Sequence, residues 1–291
     1  MDAMLLTSQL VNGLVLGFLF VLIAVGLSII FGMLGLVNFA HGAFFALGAY
    51  FAWTLRPYVG DVGVLFLAPV CVFAVGVVAE RLLLRPLYDK EPLLSLLLTF
   101  GLALFIEEAI RTIWGSIGHP YDAPDFLSGF VHYGPVFVTQ YRLAVLGITV
   151  LLLIGIWLLL EKTRFGRIIR AGSRDGEMVN MLGVNLKRVF TLVFGLGTAL
   201  AGIAGVLAAP LWSVVPSISE QAIMPAFVVV TIGGLGSLRG AIVSGLLVGI
   251  SVALAIQFWP AASSAVMYLL MVAILLVRPR GLFGETWERF E

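Results

Sequence analysis

Residues 161–189, EKTRFGRIIRAGSRDGEMVNMLGVNLKRV, form the one long polar passage in a chain that is otherwise almost continuously apolar. Seven of the seventeen Lys and Arg residues lie in it: Lys162, Arg164, Arg167, Arg170, Arg174, Lys187 and Arg188. Long hydrophobic runs flank it on both sides. A basic stretch between two membrane spans belongs on the cytoplasmic side, so this passage orients the chain in a bilayer. Within it the spacing predicts a short helix. Asp175 is placed to cap it, Glu177 suits the positive end of its dipole, and Gly183 is a natural stop. Met178, Met181 and Leu182 stand at i, i+3 and i+4 and share one face, with Arg174, Asp175 and Glu177 around the start. Such a face is a knob for docking into another protein; the competing reading is a helix lying on the lipid surface or packed under its own bundle.

Composition points the same way. The 291 residues are 61% hydrophobic and only 11% charged, against about 25% charged in soluble domains. Each bilayer crossing takes about 20 apolar residues, so the chain has room for roughly eight to ten spans and no soluble domain. The apolar runs are continuous rather than alternating, which excludes a transmembrane β-barrel. The fold class is therefore all-α, a polytopic helical bundle forming a single membrane domain over 1–291, with its cytoplasmic loop at 161–189. A net charge of +1 says nothing about a partner when charge is sorted by side, and nothing supports nucleic-acid binding. Cys71, the single cysteine, sits in an apolar run and reads as a buried, inert thiol. Asp2 stands where a signal peptide would carry basic residues, so the first span is expected to be retained.

Apolar runs predict nine spans, near 9–31, 38–55, 62–80, 94–115, 141–160, 190–209, 223–238, 241–258 and 263–277. If the segments 81–92, 161–188, 239 and 278–291 face the cytoplasm, they hold fourteen of the seventeen basic residues, leaving Arg56, Arg111 and Arg142. Nine spans then put the N-terminus outside. Residues 116–140 and 210–221 contain no Lys or Arg and are expected outside, where together they form a platform for something arriving from that side or simply carry interfacial aromatic anchors.

Two stretches break the apolar pattern with glycine. One is 31–48, FGMLGLVNFAHGAFFALG, with Asn38, His41 and Gly42; the other is 231–249, TIGGLGSLRGAIVSGLLVG, with Gly233, Gly234, Gly236 and Ser237. Broken helices at membrane depth expose backbone groups that line a cavity or are covered by protein, and transporters use such breaks to contact substrate. Close helix packing by small residues is the alternative. Glu107 and Arg111 are one helical turn apart and are expected to pair near the outer end of their span. No phosphate-binding loop, dinucleotide fingerprint or paired-cysteine or H-E-x-x-H metal site occurs. The chain cannot hydrolyse ATP by itself and reads as a transport component rather than an enzyme.

An ordered set of motifs runs through the chain: LVNFAHG (36–42), LGAY (47–50), ER (80–81) with RPL (85–87), TFGL (99–102), GEMVNMLGV (176–184), TIGGLGS (231–237) and RPRGLFG (278–284). In order and spacing it resembles the permease subunit of bacterial high-affinity branched-chain amino acid ABC transporters. The resemblance implies a multi-pass subunit of the bacterial inner membrane, paired as a heterodimer with a second, similar permease. It also implies cytoplasmic ATP-binding subunits, which hydrolyse the ATP, and a soluble periplasmic or extracellular binding protein that delivers substrate. This chain itself is expected to bind no cofactor and no metal. On the same resemblance the 175–183 helix is the coupling helix, with Arg174, Asp175, Glu177, Met178, Met181, Leu182 and Gly183 at the ATPase. The substrate pathway is assigned to Asn38, His41, Gly42, Gly233, Gly234, Gly236 and Ser237. One departure is the pair Met178 and Val179, where the family more usually has two alanines. Similar permeases carry urea or short amides, which is the alternative cargo; an ion-driven secondary transporter is the alternative of another class.

Overall fold

Residues 3–34 are apolar nearly all round, and a helix without a polar face belongs in the interior of a bundle. In the computed structural model, which describes residues 3–88, 90–133 and 136–284, this segment is α1 (Ala3–Leu34). There follow α2 (His41–Ala79), α3 (Pro92–Trp114), a hairpin of β1 (Phe130–Tyr133) and β2 (Val136–Thr139), α4 (Gln140–Lys162), α5 (Arg164–Arg174) and α6 (Gly176–Met181). The chain continues through α7 (Leu186–Trp212), α8 (Ile218–Gly233), α9 (Leu238–Phe258) and α10 (Ser263–Val277). The all-α expectation holds apart from the small antiparallel hairpin, which pairs Phe130 with Thr139 and Val131 with Val138.

Seven segments are long and apolar enough to cross a membrane, and α8, at 16 residues, is a shorter apolar helix. One of the seven, His41–Leu87, has 47 residues, more than twice the length of one crossing. It contains Gly60, whose φ of 69° and ψ of 176° are not helical. Gly48 on one side of that residue and Val72 on the other both pack on Gly202 of α7. The chain therefore doubles back at Gly60, and the two runs expected at 38–55 and 62–80 are the arms of a hairpin within α2. A side chain would be strained at this φ, which explains glycine at the bend.

The centre of the bundle is α1 and α7, whose most apolar windows are 72% and 78% buried, against 6% for the window around α10. α2 packs along α7 and α9 along α1, in both cases through glycine contacts such as Gly48 on Gly202 and Gly17 on Gly245. Small residues let helix backbones approach where lipid offers no hydrophobic drive to associate. Cys71 is only half-buried, not buried as expected, because it stands beside the face that Val72 and Gly76 of the same arm present to α7.

Both groups of loops assemble by end. At one end Arg85 donates to the Lys187 carbonyl (2.9 Å) and to Thr191 Oγ1 (3.0 Å), joining 81–92 to 161–188. The 278–284 strap is tied there too, by Leu282 N–H to the Ile232 carbonyl (2.7 Å) and Phe283 N–H to that of Gly233 (3.0 Å). The basic segments predicted to share a side thus meet. At the other end His119 and Val214 exchange backbone hydrogen bonds of 2.8 and 3.2 Å, and Trp53 stacks on His119 with centroids 4.1 Å apart. Arg56 there pairs with Asp61 at 2.7 Å and donates to the Asp122 carbonyl. Glu107 and Arg111 pair at 3.0 Å, as their spacing requires.

Boundaries differ in two places. The loop expected at 210–221 shrinks to 213–217, because α7 runs through Pro210 to Trp212 and α8 starts at Ile218. The run expected at 223–238 is displaced, because α8 ends at Gly233 where Gly234 (φ 98°) and Gly236 (φ 81°) leave the helical region. Asp2 and residues 285–291, with Arg289, lie outside the described residues.

Candidate functional site

The polar passage folds into an arm of two helices, one of them not foreseen. Arg164–Arg174 forms α5, capped by Thr163, whose hydroxyl accepts from Gly166 N–H at 3.2 Å. Its signal was present: Arg164, Arg167 and Arg170 recur at every third position while Phe165, Ile168 and Ile169 turn to the bundle. α6 is the short helix expected after it. Asp175 accepts from Met178 N–H at 2.9 Å, and Gly183 (φ 82°) ends the turn. The predicted face of Met178, Met181 and Leu182 points outward as a unit, and Val179, outside that set, holds the helix to the bundle. Val179, 6% exposed, packs in a cluster with Met33, Ile169, Leu186, Val189 and Val193. Met178, Met181 and Leu182 are 61%, 84% and 77% exposed. Arg174, Asp175 and Glu177 are exposed around them. The knob is thus pinned at its base and bare at its tip.

The glycine-rich stretches become two non-helical links inside the bundle. Residues 35–40 run from α1 to α2 with Leu36, Asn38 and Ala40 buried. Asn38 turns the chain: its carbonyl accepts from His41 N–H (3.2 Å) and its Oδ1 from Ala40 N–H (3.1 Å). Thr99 of α3 holds the link from the side, donating to the Val37 carbonyl and accepting from Phe39 N–H, both at 3.3 Å. His41 is fully buried with Nε2 3.0 Å from the Ile23 carbonyl of α1. Gly42 lies against α8, where a Cβ would fall 2.6 Å from the Ser219 carbonyl oxygen. The second link is the turn 234–237. Gly233 is packed on Gly240, Gly234 against Phe283 and Gly284, and Gly236 against Gly32. Ser237 caps α9, its hydroxyl accepting from Gly240 N–H at 3.0 Å.

A cavity of about 450 Å³ opens between this turn and the arm. Gly236, Ser237 and Arg239 line one side and Arg170, Ser173 and Arg174 the other. The structure thus brings Gly236 and Ser237 of the expected pathway into one cavity with Arg174 of the expected coupling set. Asn38, His41 and Gly42 do not line this cavity.

Sequence reasoning did not assign a role to the ER and RPL motifs, which form one network. Glu80 begins a π-helical turn, Glu80–Leu84, a feature that recurs at functional sites. Its side chain is fully buried, accepts from Tyr88 Oη at 2.8 Å and lies 3.8 Å from Arg85 Nε. Burial, then the hydrogen bond to Glu80, push the Tyr88 phenol well above the ordinary tyrosine range. Arg85 carries the network on to Thr191 and so to the start of α7, directly after the knob.

Broken helices packed on a buried pair of central spans, with a polar arm at one end, define a multi-pass helical membrane protein of the transport type. The family model for the branched-chain amino acid transport system / permease component matches residues 9–275. The chain belongs to that family. It is 32% identical to the high-affinity branched-chain amino acid transport system permease protein BraD of Pseudomonas aeruginosa, over 95% of both chains. It is 30% identical to the permease protein LivH of Escherichia coli K12, again over 95% of both. A probable branched-chain amino acid transport permease protein LivH of Methanocaldococcus jannaschii is 29% identical over 94% of this chain and 91% of its own. No solved structure matches the chain.

Proposed function

We propose that this chain is the membrane-spanning permease subunit of an ATP-driven importer that carries branched-chain amino acids across the bacterial inner membrane. The observation that carries the reading is the knob of Met178, Met181 and Leu182, exposed at the tip of an arm whose base is anchored by Val179. Three large apolar side chains bared on a cationic cytoplasmic arm suit a groove on an ATPase subunit better than water. The full-length match to relatives named as branched-chain amino acid permease proteins supports that cargo over urea or amides.

In this reading 1–291 is one permease domain and 161–189 its coupling loop. ATP is hydrolysed by separate subunits, and closure of those subunits moves α5 and α6 as a rigid body. The arm is continuous with α4 and α7 and faces the 234–237 turn across the cavity, so its displacement reaches the broken helices. The turn and the 35–40 link, with Asn38, His41, Gly42, Gly233, Gly234, Gly236 and Ser237, supply backbone dipoles within apolar walls, which suit a zwitterion with an aliphatic side chain. A substrate-binding protein docks on the opposite end, where His119 and Val214 join the outer loops. A second, similar but different permease completes the membrane unit.

The test is uptake of labelled leucine by proteoliposomes holding this chain with its partner permease and ATPases. Uptake is expected only with both ATP and the binding protein. Leucine entry driven by an ion gradient alone would overturn the proposal, as would uptake of urea without leucine.

A further inference from the structure

The 450 Å³ cavity has a composition unlike the rest of the bundle. Arg170 and Arg174 face it from α5, Arg239 from the first turn of α9 and Glu161 from the end of α4. Three guanidinium groups against one carboxylate leave a formal charge of +2. Arg170 lies 3.4 Å from Glu161. Among the described residues no carboxylate lies within ion-pair distance of Arg174 or Arg239. A second observation is independent of these surface charges. Ser28, in the last third of α1, lines the same space, is 1% exposed, and its hydroxyl has no hydrogen-bond partner among the described residues. A buried hydroxyl left unpaired is costly, so one bordering a cationic cavity points to an acceptor ligand.

The apolar side of the cavity decides which acceptor. A second space of about 120 Å³, lined wholly by apolar side chains such as Phe165, Leu196 and Ile203, shares Ile29, Leu160 and Ile169 with the first. Trp157, a side chain suited to the membrane interface, lines the first space. A free phosphate or carboxylate has no use for an adjoining apolar space, whereas an amphiphile has an apolar part to set against it.

We infer that this cavity is a binding site for an anionic glycerophospholipid, its phosphate held by Arg174, Arg239 and Ser28 and the beginning of an acyl chain against the apolar side chains Ile29, Leu160 and Ile169. Arginine forks match phosphate oxygens in pairs, and cationic pockets between helices on the cytoplasmic side collect such headgroups. A lipid seated there joins α1, the arm and the 234–237 turn, and so ties the moving arm to the broken helices. The site stands whether or not the cargo is a branched-chain amino acid.

The experiment measures lipid retained by the full chain in detergent by native mass spectrometry. Phosphatidylglycerol, phosphatidylcholine and sodium phosphate are the three probes, and a second readout is Trp157 emission, taken as the difference between the chain, which has six tryptophans, and its Trp157→Phe variant. One phosphatidylglycerol is expected to bind in preference to phosphatidylcholine and to shift Trp157 emission. Arg174→Gln with Arg239→Gln is expected to weaken binding about twenty-fivefold, from about fivefold for each arginine. Ser28→Ala weakens it further without altering surface charge. Arg81→Gln with Arg188→Gln, which remove the same charge outside the cavity, leave it unchanged. Melting temperatures of all variants separate lost binding from lost folding. Equal loss in the control pair would overturn the site. Displacement of the lipid by millimolar sodium phosphate, with Trp157 emission unchanged by lipid, would overturn the lipid assignment in favour of a free oxyanion.

Discussion

Gly26 of α1 and Gly197 of α7 meet backbone to backbone: a Cβ on Gly26 would fall 2.7 Å from the Gly197 carbonyl oxygen, and a Cβ on Gly197 would fall 2.9 Å from that of Gly26. The contact joins the two most buried helices at the level where His41 begins α2, since the His41 ring lies 3.0 Å from the same Gly26 position. Gly26→Ala is therefore expected to lower stability by about 1–3 kcal/mol, the usual cost of overpacking. Gly101→Ala is the contrast. Gly101 is helical and exposed, with nothing within 4 Å of its added Cβ, so alanine should stabilise by about 0.5–1 kcal/mol. Unfolding of the purified protein in detergent measures both. Equal effects at the two positions would contradict the packing described.

The arm makes a different demand on each of its side chains. Asp175→Ala removes the α6 cap and is expected to cost about 1 kcal/mol locally, whereas Asp175→Asn retains most of it. Amide hydrogen exchange at 176–181 reads this directly. Met178→Asp with Met181→Asp should leave that exchange unaltered, because both side chains are already in water. The same pair should abolish leucine uptake in the assembled importer while ATP hydrolysis continues. Coupled transport in this variant would remove the knob from the mechanism.

Glu80, Tyr88 and Arg85 depend on one another. Glu80→Ala strands a buried phenol and a partly buried guanidinium, and is expected to cost about 2–3 kcal/mol after allowance for the one-third exposure of Arg85. Tyr88→Phe should cost about 1 kcal/mol. The pH dependence has a fixed sign. Folding raises the Tyr88 pKa, so its contribution is complete below the unfolded value of about 10 and is lost as pH rises beyond it. Ultraviolet titration of wild type against Tyr88→Phe should show one phenol that resists ionisation until the protein unfolds.

His119 and Val214 form a hydrogen-bonded pair across two outer loops, which sets their Cα atoms about 5.5 Å apart. That is within disulfide range. His119→Cys with Val214→Cys, in a Cys71→Ser background, should cross-link on mild oxidation, giving a mobility shift on a non-reducing gel. Failure to cross-link would mean that the two loops are not joined in the folded protein.

What sequence by itself determined follows from solvent and charge. Apolar runs too long for a soluble core required a bilayer, and the crowding of cations into 161–189 oriented it. Asp175, Met178, Met181 and Gly183 could be placed because capping and helical spacing act within a few residues. The doubling back at Gly60 was legible as two runs, though not as a single bend.

Tertiary structure alone decided which apolar side chains face protein and which face outward, because Val179 and Met181 are equally apolar and only packing against Met33 and Leu186 separates them. It also decided the neighbours of the buried links. Nothing local in Thr99, Glu80 or Ser28 says that they would meet Val37, Tyr88 and an arginine-lined cavity. Hydrogen bonds at membrane depth must be satisfied by whatever the folded chain brings near, and that is a property of the whole bundle.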